Sequence, residues 1–175
     1  MSIDDPKTIF ETAITETVAS GGVDKEQVGT VRHGRDGKIY RWVQNTHSAD
    51  LAVGDVVFHD GATDSTNMYK YVEDGATAAL MFMAGVTISA IPSNGFGWIQ
   101  IDGITSAFNF LGATAGGTAL AVGDTVIGVN GQTYTTRSEP AGDPPVYSKY
   151  IVALETVATA TTPAAATIAG MIKCF

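Results

Sequence analysis

Leu51-Ala52-Val53-Gly54-Asp55-Val56-Val57 is the stretch that decides the fold, because the chain writes it twice. Leu120-Ala121-Val122-Gly123-Asp124-Thr125-Val126 repeats it at an offset of 69 residues (124 − 55). The same offset carries Met81-Phe82-Met83-Ala84 onto Tyr150-Ile151-Val152-Ala153, and Thr87-Ile88 onto Thr156-Val157. Gly97-Trp98-Ile99 falls on Gly170-Met171-Ile172 after a further slip of four (170 − 97 = 73). In each copy a Gly supplies a backbone angle other residues resist, and the Asp after it can bond nearby amides. Two copies of one β unit, in the order turn, strand, strand, strand, account for the pattern over about residues 48–111 and 117–175. Two copies are too few for a solenoid, so a closed pseudo-symmetric domain is expected.

The flanking sequence is also β in character. Thr30-Val31-Arg32-His33 and Lys38-Ile39-Tyr40-Arg41-Trp42-Val43 bracket Asp36-Gly37, a strong hairpin signal. Ile39, Arg41 and Val43 share one face of the second run and Tyr40 and Trp42 the other, so both faces should be covered. Val86 to Ile91 alternates, and Phe96 to Ile101 follows as a strand that Asp102-Gly103 should close. Asn130-Gly131 reads as a second hairpin turn. The expected class is all-β: a small β-barrel or β-sandwich with an internal pseudo-repeat and an N-terminal arm or short helix.

Residues 1–22 form that separate N-terminal element, and residues 23–175 the β domain. Pro6 and the Asp before it suit a helix start, and Gly21-Gly22 a stop. Ile9, Phe10, Ala13, Ile14 and Val18 fall near one face at helical spacing. Against a helix stand the β-branched Thr8, Ile9, Thr12, Ile14, Thr15, Thr17 and Val18. A short helix or an extended arm that orders on packing is expected.

Charge and chemistry narrow the function. A formal charge of −8 with ten scattered Lys and Arg argues against nucleic acid as a partner. The basic group Arg32, Arg35, Lys38 and Arg41 lies around the Gly-rich turn and reads as a solvated hairpin rim. Cys174 is alone, which excludes a disulfide framework and a paired-cysteine metal knuckle. The longest apolar run, Ala76 to Ala84, is too short to span a bilayer. The N-terminus lacks a basic start followed by an apolar run, so no signal peptide is expected and the chain should be made in a cytosol.

His59-Asp60 with Asp64 is the cluster that most resembles an acid–base or metal set, but the spacing fits a solvated turn better. Asp55 and Asp124 read as turn caps rather than paired catalytic carboxylates. Neither a Gly-x-Ser-x-Gly elbow nor a phosphate-binding loop occurs in the sequence. No catalytic residue, metal or cofactor is therefore assigned. Trp42 and Trp98 fit a core or subunit interface, with sugar stacking beside Tyr69 and Tyr71 as the other reading.

Tyr40-Arg41-Trp42-Val43-Gln44-Asn45, the Leu-Ala-Val-Gly-Asp-x-Val turn, Ala84-Gly85-Val86 and Gly95 to Gly103 together resemble tailed-phage capsid decoration (cement) proteins. The resemblance spans roughly residues 38–130. It implies a small, often trimeric β-barrel or sandwich on the outer capsid surface of a virion made in the host cytoplasm. There it would bind the major capsid protein, bridging neighbouring capsid subunits, with neither nucleic acid nor membrane as partner. The N-terminal arm would be the contacting part, with Ile9, Phe10, Ile14 and Val18 as capsid or subunit anchors. The rival from another class is a carbohydrate-binding or host-attachment β domain of a fibre or spike.

Overall fold

The computed structural model describes residues 10–60, 68–74, 83–111, 120–128, 135–137, 150–155 and 165–174. Eleven strands are present among the described residues: β1 (Thr17–Val18), β2 (Val31–His33), β3 (Ile39–Asn45), β4 (Val56–His59), β5 (Tyr71–Glu73), β6 (Met83–Thr87), β7 (Phe96–Leu111), β8 (Thr125–Gly128), β9 (Thr135–Arg137), β10 (Tyr150–Ala153) and β11 (Ala165–Lys173). A single 3-10 turn, Met68–Lys70, precedes β5, and the described residues hold no α-helix.

Strand pairing closes on itself twice around β7. The first circuit runs β7–β6–β4–β5–β3 and back to β7. The second runs β7–β11–β10–β8–β9 and back to β7. Each has five strands, and each contains one parallel pairing at the same place, β3 with β5 and β7 with β9. Closure removes exposed sheet edges, which suits a chain of many short strands. One strand thus serves both barrels: its first part ends one and its second part begins the other.

The barrels share a continuous apolar core. Val43, Val56, Phe58, Val72, Val86, Ile99 and Ile101 fill the first, and Phe108, Val126, Ile151, Ile168 and Ile172 continue it into the second. The inward residues of β7 change parity between Ile101 and Phe108. The change is possible because β7 spends three steps, Thr105 to Phe108, against two on β11, Gly170 to Ile168. A one-residue bulge turns the following side chains to the opposite face. Asp102-Gly103 therefore does not end the strand as its composition suggests. Gly103 sits at φ 92°, and a Cβ there would lie 3.2 Å from Lys38 Cα. It lets β3 pass close while the strand continues.

The repeated turn is used identically in both places. Asp55 Oδ2 accepts from Ala52 N at 2.6 Å, and Asp124 Oδ2 accepts from Ala121 N at 2.8 Å. Gly54 and Gly123 adopt φ of 83° and 92°. Gly54 N donates to Thr87 O while Thr87 N donates to Asp55 O; Gly123 N and Ala153 N repeat this exchange with Ala153 O and Asp124 O. Thr87 therefore corresponds to Ala153, a shift of 66 rather than 69, so the connecting loop is three residues shorter in the second copy. Sequence did not expose a third instance. Gly29, at φ 95°, donates to Trp42 O while Trp42 N donates to Thr30 O. Val28-Gly29-Thr30-Val31 is thus a degenerate form of Val53-Gly54-Asp55-Val56.

Residues 10–22 are not helical. They run as bends and turns into β1, which pairs with β7 through Thr17 opposite Gly97 and Val18 opposite Phe96. The β-branched residues prevail over the helical spacing, because an extended segment can lay alternate side chains on the barrel wall. The Asp36-Gly37 hairpin forms as expected, with His33 opposite Ile39. The expected strand over Val86 to Ile91 stops at Thr87, where the turn takes the backbone groups, and resumes as a bridge from Ile91 to Leu51. Asn130-Gly131 lies outside the described residues.

The two barrels are locked by Asn109. Its backbone N–H donates to Gly54 O at 2.7 Å, and its side-chain amide donates to Asp55 Oδ1 at 2.7 Å. Asp55 is only 5% exposed, so removing that donor leaves a buried carboxylate short of a partner. Asn109→Ala should cost about 1.5–3 kcal/mol in urea unfolding. An exposed control on the same strand, Ser106→Ala, should shift the midpoint much less.

Candidate functional site

The titratable residues that could do chemistry are dispersed or engaged. His59 ends β4 and, with Asp60, is buried rather than solvated, at 2% and 3% exposure. Asp60 Oδ2 accepts from Thr46 Oγ1 at 2.7 Å, which holds the loop after β3 against the end of β4. His47 Nδ1 lies 3.4 Å from Asp74 Oδ1, so it faces the end of β5. His33 is exposed on β2, and Asp64 lies outside the described residues. Among the described residues no group of three His, Cys, Asp or Glu could hold a metal ion. Nor does any helix there have the length and apolarity to cross a membrane.

Arg41 turns inward with Ile39 and Val43, and burial pulls its pKa below the usual guanidinium range. Cys174 is buried just beyond β11, where its N–H donates to Ile101 O at 2.9 Å.

The most built-up polar and aromatic arrangement is on the outer face of β3 and β7. Trp42 and Trp98 stand opposite each other in register. Their rings meet edge to face at 5.3 Å, and both are 0% exposed. Phe96 stacks on Trp42 at 6.5 Å, and Phe10 meets Trp98 edge-on at 5.7 Å. A strap of chain from Phe10 to Thr30 shields this cluster. Val18 is buried in it, and Ile14, Val28 and Ile88 pack around it. These rings form a cluster separate from the barrel core, and the strap covers them from outside.

Each indole N–H is met by a residue of the strap. Trp42 Nε1 donates to Asp24 Oδ1 at 2.7 Å, while Asp24 Oδ2 accepts from Val28 N at 2.8 Å. Trp98 Nε1 donates to Thr12 Oγ1 at 2.9 Å. That hydroxyl donates on to Glu26 Oε1 at 2.6 Å, which also takes Thr12 N. Arg32 closes the group: its Nη1 donates to Thr12 O at 3.0 Å and its guanidinium lies 4.8 Å from the Phe10 ring centre. Buried indoles with satisfied N–H groups and a cation over a ring are strong packing devices.

Phe10, Ile14 and Val18, the expected anchors, therefore meet their own barrel in this structure, and Ile9 lies outside the described residues. The tryptophans leave no ring face for a sugar, whereas Tyr69 is 45% exposed. Thr12, Asp24 and Glu26 were not legible as functional residues. The available signal was their place before the degenerate third turn.

No family model matches the chain. No curated protein matches it either. Among solved structures, the chain is similar to the N base of the head fiber gp8.5 of bacteriophage phi29, at 9% identity over 78% of this chain and 94% of that chain, with a TM-score of 0.40. That degree of likeness carries no statement about function.

Two outcomes follow from this geometry. Thr12→Val should destabilise by about 1–3 kcal/mol, because Trp98 and Glu26 both lose a buried partner. Its tryptophan emission should move to the red, and an unshifted spectrum would show that the strap does not seal the pair. Burial, with the Asp36 carboxylate beside it, pushes the Tyr40 phenol up to about 12. The folded form thus holds that proton more tightly than the unfolded form. Its contribution is whole below the ordinary tyrosine pKa, about 10, and is lost as pH rises from there through the raised value. Tyr40→Phe should flatten that alkaline loss in denaturation curves while leaving neutral-pH stability nearly unchanged.

Proposed function

We propose that this chain is a non-enzymatic virion structural protein that binds the outer surface of a phage capsid and stabilises it by bridging neighbouring capsid subunits, assembled as a trimer. One observation carries the reading. The segments that resemble capsid decoration proteins, 40–45, 51–57, 84–86 and 95–103, lie together in the first barrel, and only the turn recurs, at 120–126, in the second. They supply β3, the turn into β4, the middle of β6 and the start of β7, which are consecutive walls of the first barrel. A likeness scattered over unrelated elements would weigh less.

The proposed contact is the strap that carries Phe10, Ile14 and Val18, together with its outer surface, where Val23 is 80% exposed. A rigid barrel that presents one small surface binds weakly alone. A closed ring of three presents it three times, and effective concentration then raises the avidity without new contacts.

The test is direct. Purified chain added to undecorated particles should co-sediment with them and raise the temperature at which the heads rupture. Val23→Asp should weaken that binding and leave the melting temperature of the chain itself unchanged. Particles that rupture at the same temperature with and without the chain would refute the reading. So would glycan binding that Tyr69→Ala abolishes, in the absence of any capsid binding.

A further inference from the structure

The three equivalent turns are not equally covered. A Cβ at Gly29 would meet the Tyr69 ring at 2.8 Å, and one at Gly54 would meet Asn109 at 3.4 Å. At Gly123 no described residue lies within 4 Å. The residues one step past the exchanged partner show the same contrast. Val43 is buried and Ile88 packs against the tryptophan cluster. Leu154, the third of the set, is 37% exposed, next to exposed Glu155. The first barrel's turn also shows how such a site is filled: a strand N–H is donated to the glycine carbonyl, Asn109 to Gly54.

We infer that the open turn at Ala121–Asp124, with Leu154 and Glu155, is a docking site for strand β2 of a second copy of this chain. Strand β2 ends the sheet, pairing with β3 alone among the described residues. Thr30, Arg32 and Gly34 face Trp42, Tyr40 and Lys38. Val31 and His33 therefore turn their backbone groups to the outer edge. Val31 is 39% exposed there, an apolar match for Leu154 and Val122.

Charge agrees with that direction of docking. The rim of β2 carries exposed His33 and Arg35, and the open turn carries Glu155 and half-buried Asp124. The contact joins two different surfaces, so it is heterologous, and its repetition yields a closed ring or a filament. It deepens the oligomeric part of the proposed function and stands or falls separately from capsid binding.

Sedimentation velocity and native mass measurement of the full chain, at rising concentration, decide the matter. Self-association should appear, and Leu154→Asp and Glu155→Arg should each weaken it about tenfold, or about 1.4 kcal/mol. Arg35→Glu should weaken it likewise. The double variant Arg35→Glu with Glu155→Arg should restore it, which a folding defect would not do. A chain that stays monomeric, an oligomer indifferent to these changes, or a double variant no better than the singles would overturn the inference. A monomer that nevertheless binds capsids would overturn it while leaving the proposed function intact.

Discussion

Everything in this molecule hangs on β7 being held in common. A barrel of five short strands has little interior, and small cores are hard to stabilise alone. By lending one sixteen-residue strand to both circuits, the chain joins two small interiors into one apolar cluster. The bulge between Thr105 and Phe108 makes the loan possible, since it turns the inward face from one barrel to the other. Asn109 then binds the first barrel's turn to the second barrel's wall, so the two cannot slide relative to each other.

The same strand explains the strap. Both faces of β3 and of the start of β7 carry bulk, and only one face can point into a barrel. Trp42 and Trp98 are left outside, where unshielded indoles would make a large exposed apolar patch. The segment from Phe10 to Thr30 solves this with polar residues aimed at each indole nitrogen and apolar ones packed between. What reads in sequence as an appendage is part of the core's boundary.

The repeated turn and the Asp36-Gly37 hairpin were legible because local chemistry fixes them. A Gly at positive φ followed by a carboxylate that caps its own loop needs no distant partner. The class and the short-strand build followed from the same signals. What stayed hidden depends on partners far away in sequence. Asp102-Gly103 looks like a stop, yet the strand runs on because β3 pairs up to Asp102 and β11 pairs with both residues. The third turn is masked because Thr30 replaces Asp. His59 and Asp60 look like a solvated loop, yet the closing of the first barrel buries them. The strap's polar residues offered no spacing rule at all, since Thr12 and Trp98 are 86 positions apart.

That separation has a consequence for how the protein is made. The strap leaves the ribosome before the wall it must cover, since β7 is synthesised only after most of the first barrel. Pairings that distant in sequence close slowly. Until β7 is in place, the strap has nothing to rest on, and Trp42 must wait uncovered beside it. A segment made before the first barrel is thus among the last to settle, and its arrival marks that barrel as finished.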